Sequence, residues 1–211
     1  DLSWAVNYLR FSINKGWGSD TDAFFHTDFI KLSSSPFDFG GMILPILIGI
    51  AIIWFISWFI CYKGIKAGIE KANKILLPAL VIIMIIIAIR AVNLEGAAEG
   101  LNTLFTPDWS KVMDPKVWVA AYGQVFFSLS LAMGIMMTYS SYLPKKTDIN
   151  NSAFMTAFAN CGFEFLSAIA VFSILGFMAS AKGIPMSEVV SSGVGLAFVV
   201  FPAVFTEMGS V

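Results

Sequence analysis

Glu164 is the residue whose chemistry most needs explaining. It is the single charge in the apolar run 149–181. A carboxylate at that depth in hydrocarbon is costly, so it marks either a bond to a neighbouring helix or a site for an ion or a proton. Asn160 lies one helical turn before it, on the same face. A second group of small and polar residues, Gln124, Ser128, Ser130, Gly134 and Thr138, interrupts the uncharged run 117–144. Gln124 and Ser128 are one turn apart and share a face. Two readings are open for this run. Such residues serve close helix packing, or they mark a discontinuous helix whose freed backbone groups bind ion and substrate near the bilayer midplane. Gly68 and Pro78 form a third feature. Proline removes a backbone donor and glycine lowers helix stability, so the segment kinks or can unwind.

Other chemistries find no support. The only histidine, His26, falls in a polar connection, which argues against a histidine-based triad or a zinc site. Cys61 and Cys161 lie in apolar runs without an activating partner, and no Gly-Lys-Ser/Thr phosphate loop occurs. The net charge of −1 and pI near 5.8 give no basic footprint for nucleic acid. An enzyme is not expected.

The elements that must position these residues follow from composition. Of 211 residues, 57% are hydrophobic and 13% charged, with mean hydropathy +0.79. Soluble domains carry about 25% charged residues, so an all-α polytopic membrane protein is expected. A spanning helix needs about 20 apolar residues. Residues 40–62 supply one span. Residues 66–92 supply a second, whose first turns lie outside the hydrocarbon. Residues 115–143 supply a third, opened by the Asp114-Pro115 start signal and broken near 128–134. Residues 149–181 supply a fourth. Residues 1–14 read as the tail of a preceding helix and 182–211 as an outer segment, so the sequence reads as an internal piece of a longer protein. The run 189–206 is apolar enough for a span, but Ser191, Ser192, Gly193 and Pro202 fit a re-entrant or external hairpin equally well.

Orientation follows from lysine density. Lys63, Lys66, Lys71 and Lys74 crowd one connection and Lys145 and Lys146 another, and both are expected on the cytoplasmic side. The longer connections 10–39 and 90–116 carry three basic and four acidic residues each and are expected outside. Trp17, Trp109 and Trp118 are expected as interfacial anchors.

The run Trp118-Val-Ala-Ala-Tyr-Gly-Gln-Val-Phe-Phe-Ser-Leu-Ser-Leu131, continuing to Thr138-Tyr-Ser-Ser-Tyr142, resembles the sixth transmembrane helix of the neurotransmitter:sodium symporter family. The similarity covers essentially the whole chain, from the end of helix three to the external loop after helix seven. It is nearest to bacterial members that take hydrophobic or aromatic amino acids. The resemblance implies a fragment of an inverted-repeat symporter fold, with four full transmembrane helices, a partial one and an external helical hairpin at 182–211. It implies sodium-coupled transport by alternating access, with Na⁺ and an amino acid as cargo, in a bacterial cytoplasmic membrane. The remaining helices of the same protein would complete the site.

The resemblance also implies residue roles. Ser128 and Asn160 match positions that coordinate a sodium ion. Phe127, Ser128, Ser130 and Met133 match positions lining the substrate pocket. Gln124, Ser128, Asn160 and Glu164 match the neighbourhood that holds chloride in animal members, where the fourth position is serine. Glu164 would supply that charge itself, implying chloride independence. Gly68 and Pro78 resemble the family's Gly-x9-Pro motif, associated with unwinding of helix five. Two alternatives stay open on residues alone: a proton-coupled transporter of the same fold using Glu164, and a channel or structural membrane subunit.

Overall fold

Long apolar runs without charges leave a backbone in hydrocarbon only one local solution, the helix, because each amide must find its partner within the segment. The computed structural model describes residues 1–33, 41–189 and 195–208, and among them the regular elements are all helical. Three are long and apolar enough to cross a membrane: Leu44–Tyr62, Ile65–Val92 and Ile149–Ala181. We label the helices α1 (Leu2–Ser12), α2 (Thr21–Ala23, continued by a π-helical stretch Phe24–Phe29), α3 (Leu44–Tyr62) and α4 (Lys71–Val92, preceded by the π-helical turn Ile65–Glu70). Then come α5 (Ala97–Phe105), α6 (Pro115–Ser128), α7 (Ile135–Ser141), α8 (Ile149–Lys182), α9 (Met186–Val189) and α10 (Phe201–Met208, preceded by the π-helical Leu196–Val200).

The chain divides into two units: Asp1–Leu80 with Met178–Val211, and Val81–Phe177. In the first, α1 packs on the start of α3 through polar contacts. Ser3 Oγ donates to the Ile46 carbonyl at 2.6 Å, and Asn7 Nδ2 donates to the carbonyls of Ser3 at 2.8 Å and Pro45 at 3.1 Å. Gly49 allows this approach, since a Cβ there would sit 3.0 Å from Asn7 Nδ2 and 3.1 Å from the Ser3 carbonyl. Small residues at the crossing and side-chain bonds across it are how helices associate without a hydrophobic drive.

The same unit corrects the expectation for Trp17. It is no lipid-facing anchor: it is 4% exposed, in a buried cluster with Tyr8, Phe25 and Phe29. Its ring stacks on Tyr8 at 5.9 Å, and its Nε1 donates to Thr206 Oγ1 at 2.8 Å. Phe198 joins the cluster against Tyr8 and Phe25. An indole whose N–H finds a hydroxyl acceptor loses no hydrogen bond by leaving the interface. Trp109 and Trp118 stay exposed.

In the second unit the connection 93–114 is more structured than a loop. It carries α5 and a 3₁₀ turn at Trp109–Lys111. Asp108 caps that turn, accepting from the Ser110 amide at 3.1 Å and pairing with Lys111 at 3.1 Å. Hydrogen bonds from Ser110 and Lys111 hold its carboxyl below the ordinary value of 3.8. Helix α5 lies against α8 at glycines: a Cβ on Gly100 would strike the Phe172 backbone, and one on Gly176 would come 2.7 Å from the Gly96 carbonyl.

The run 189–206 contains the end of α9, the π-helical Leu196–Val200 and part of α10, each short; residues 190–194 lie outside the described residues. Residue 40, expected to open the first span, also lies outside them, and the helix begins at Leu44 with Pro45 in its first turn.

Candidate functional site

Helix α6 starts where the sequence offers a cap: Asp114 Oδ1 accepts from the Lys116 amide at 2.9 Å, and Pro115 takes the first helical position. It stops at Ser128, although the next residues, Leu129 to Ala132, include good helix formers. The backbone there turns left-handed at alternate positions: φ is +54° at Ser130, +61° at Ala132 and +73° at Gly134. Only the last is a glycine. A side-chain-bearing residue held in that region costs about 1–3 kcal/mol and persists where surrounding structure or function requires it. The Leu129, Ser130 and Leu131 amides fold back on the Val125, Phe127 and Phe126 carbonyls at 3.0, 3.1 and 2.9 Å. Helix α7 resumes only at Ile135.

The break delivers Ser128, the last residue of α6, to α8. Ser128 Oγ donates to Glu164 Oε1, and Asn160 Nδ2 donates to Ser128 Oγ. Asn160 Nδ2 also donates to Glu164 Oε1 at 3.1 Å, closing a triangle among three half-buried side chains. Asn160 and Glu164 reach the same partner because they are one turn apart on α8. Both donors converge on one carboxylate oxygen, Oε1, which accepts from each. The triangle leaves Asn160 Oδ1, a lone pair of Ser128 Oγ and Glu164 Oε2 as oxygen acceptors. Hard oxygen donors of this kind suit a hard monovalent or divalent cation better than a soft metal.

The other candidate residues are placed less closely. Gln124 is exposed one turn before Ser128 and makes no side-chain hydrogen bond among the described residues. Phe127 and Met133 are 72% and 53% exposed. Ser130 sits at the first left-handed position of the break. A cavity of about 340 Å³ opens between the break and the start of α8, lined by Leu129, Leu131 and Met136 facing Ala153, Phe154 and Ala157. Gly68 lies in the π-helical turn before α4, where a Cβ would run into the Ile60 carbonyl, and Pro78 lies inside α4. His26 contacts Asp22 at 3.2 Å and joins no metal-ligating group among the described residues.

Sequence reasoning missed Ala132. Its left-handed backbone is imposed by the break, and no local residue preference announces it. The α5–α8 contact was also missed, although the spacing Gly96-x3-Gly100 is a readable packing signal.

A family profile described as the sodium:neurotransmitter symporter family matches residues 4–211. An uncharacterized sodium-dependent transporter of Methanocaldococcus jannaschii is 43% identical over 201 residues, covering 95% of this chain and 41% of that protein. A creatine transporter of Torpedo marmorata is 34% identical, covering 85% of this chain and 29% of its own length. A sodium- and chloride-dependent taurine transporter of Canis lupus familiaris is 31% identical, covering 92% and 31%. The chain thus spans less than half the length of these curated relatives, which are transporters and not enzymes. With apolar helices of spanning length and a profile match over nearly every residue, this chain is a polytopic membrane protein that belongs to the sodium:neurotransmitter symporter family.

Proposed function

We propose that the protein containing this chain is a sodium-coupled symporter of amino acids, hydrophobic or aromatic ones, working by alternating access. The observation that carries this reading is the contact of Ser128, at the helix break, with Asn160 and Glu164 on α8. Ser128 and Asn160 contribute oxygens to one sodium ion, the amide of Asn160 turning its oxygen toward the cation. The carbonyl end of α6 adds a partial negative charge that favours a cation in the same place. Phe127, Ser130 and Met133 line the amino-acid pocket beside the break, and the apolar cavity at Leu129, Leu131 and Met136 favours a hydrophobic side chain. Glu164 provides the negative charge that chloride supplies in chloride-dependent relatives, so transport is chloride-independent. Gly68 and Pro78 mark where the α4 segment unwinds during the cycle.

The test is uptake by the intact protein in proteoliposomes. Labelled leucine, tryptophan or tyrosine accumulates under an inward Na⁺ gradient and ceases to accumulate when K⁺ replaces Na⁺. Undiminished uptake in K⁺, or uptake driven by a pH gradient alone, overturns the reading.

A further inference from the structure

The turn between α3 and α4 carries a feature that ion and substrate transport leaves unused. Lysines 63, 66, 71 and 74 fall within it, and all four are exposed. One is neutralised: Lys74 pairs with Glu70 at 2.7 Å. Lys63, Lys66 and Lys71 make no ion pair with any described residue, and Lys63 Nζ lies 5.1 Å over the Phe59 ring. Between the end of α3 and the start of α4 runs a groove of about 450 Å³. Phe59, Ile60, Ala72 and Ile75 line it, together with Lys63 and Lys71. The groove exists because Gly64 reverses the chain at φ +78° and Gly68 lets the next turn close on the Ile60 carbonyl.

Depth in the bilayer can be read from the neighbouring aromatics. Trp58 and Tyr62 are exposed and stack at 5.4 Å at this end of α3. Exposed Trp and Tyr at a helix end sit at headgroup level. The unpaired lysines are therefore in the phosphate zone, while Ile60 and Ile75 face the start of the acyl region.

We propose that this groove binds one anionic phospholipid, its headgroup phosphate held by Lys63 and Lys71 and the first part of an acyl chain against Ile60, Ala72 and Ile75. Charge chooses the headgroup. A zwitterionic lipid brings an ammonium that the lysines repel, whereas phosphatidylglycerol brings net negative charge alone. Each lysine near an anionic surface adds about five-fold in affinity, so the pair gives a preference of up to about 25-fold, and at least about ten-fold where the two contributions are not fully additive.

The test is native mass spectrometry of the intact detergent-purified protein, offered equal phosphatidylglycerol and phosphatidylcholine. One retained phosphatidylglycerol, preferred about ten-fold, is expected. The double variant Lys63→Gln/Lys71→Gln should lose the preference, and Lys63→Arg/Lys71→Arg should keep it. Lys145→Gln/Lys146→Gln, which removes the same charge elsewhere, should also keep it. Equal retention of both lipids, as when another helix fills the groove, overturns the proposal, and so does equal loss in the two Gln variants. Displacement of the lipid by millimolar glycerol phosphate would show a soluble-phosphate site and also overturn it. A second readout guards against misfolded variants: brominated phosphatidylglycerol should quench the Trp58 component of fluorescence, taken as the difference from Trp58→Phe, in the unaltered lysine background. No such quenching refutes the site.

Discussion

In the proposed function, Glu164 is the single residue that sets the ionic requirement of the cycle. If its carboxylate replaces a bound anion, then Glu164→Ser keeps a hydroxyl in reach of Ser128 and Asn160 but removes the charge. Transport by that variant should fall at least ten-fold in chloride-free medium and recover as chloride is added, while the parent protein stays indifferent. An active variant indifferent to chloride would sink the role given to Glu164. This residue was legible in the sequence because a lone acid in an apolar run has few bland explanations. Ser128 was harder. Small hydroxyl residues are common at helix crossings, and only its contact with two residues more than thirty positions away distinguishes it. Trp17 was misjudged for the opposite reason: near a helix end a tryptophan suits the interface, and its partner Thr206 lies 189 positions away in sequence.

At the scale of elements, glycine decides which helices touch. Helix α5 approaches α8 so closely that Gly100 has no room for a methyl group: its Cβ would meet the Phe172 backbone. Alanine is the better helix former by about 0.5–1 kcal/mol, which alone would make Gly100→Ala stabilising. The clash is with backbone, which cannot rotate away, and overpacking of this kind costs about 1–3 kcal/mol. The clash wins, so Gly100→Ala should lower the unfolding midpoint of the purified protein, and Gly176→Ala should do the same from the other side. An unchanged or raised midpoint for both would show that the helices are free to separate. Existence of the long helices could be read from apolar runs, and the start of α6 from Asp114-Pro115. The stop at Ser128 could be read only as a choice between packing and interruption. Left-handed backbone at Ser130 and Ala132 runs against their own preferences and is set by what the break must present to α8.

At the scale of the whole molecule, the question is how the chain threads the bilayer. The three spanning segments bury only 6%, 11% and 33% of their most apolar windows within the chain. Their remaining surface has to meet lipid or other helices. The proposed direction rests on the lysines, since lysines flanking spans tend to stay on the cytoplasmic side. Lys63, Lys66, Lys71 and Lys74 precede α4, and Lys145 and Lys146 precede α8. The connection between α4 and α6 lies one crossing away from each. In a background with Cys61 and Cys161 replaced by serine, Thr106→Cys should therefore react with a membrane-impermeant maleimide on intact cells. Lys145→Cys, equally exposed in the folded chain, should react only after the membrane is opened. The broken helix makes this a demanding comparison. Helices α6 and α7 have 14 and 7 residues, and neither alone covers roughly 30 Å of hydrocarbon. In the proposed topology they cross together with the irregular stretch between them, and the two labels then fall on opposite sides. Labelling of both positions from outside would mean that the broken segment turns back within the bilayer, leaving the Ser128 contact near one surface instead of at mid-depth.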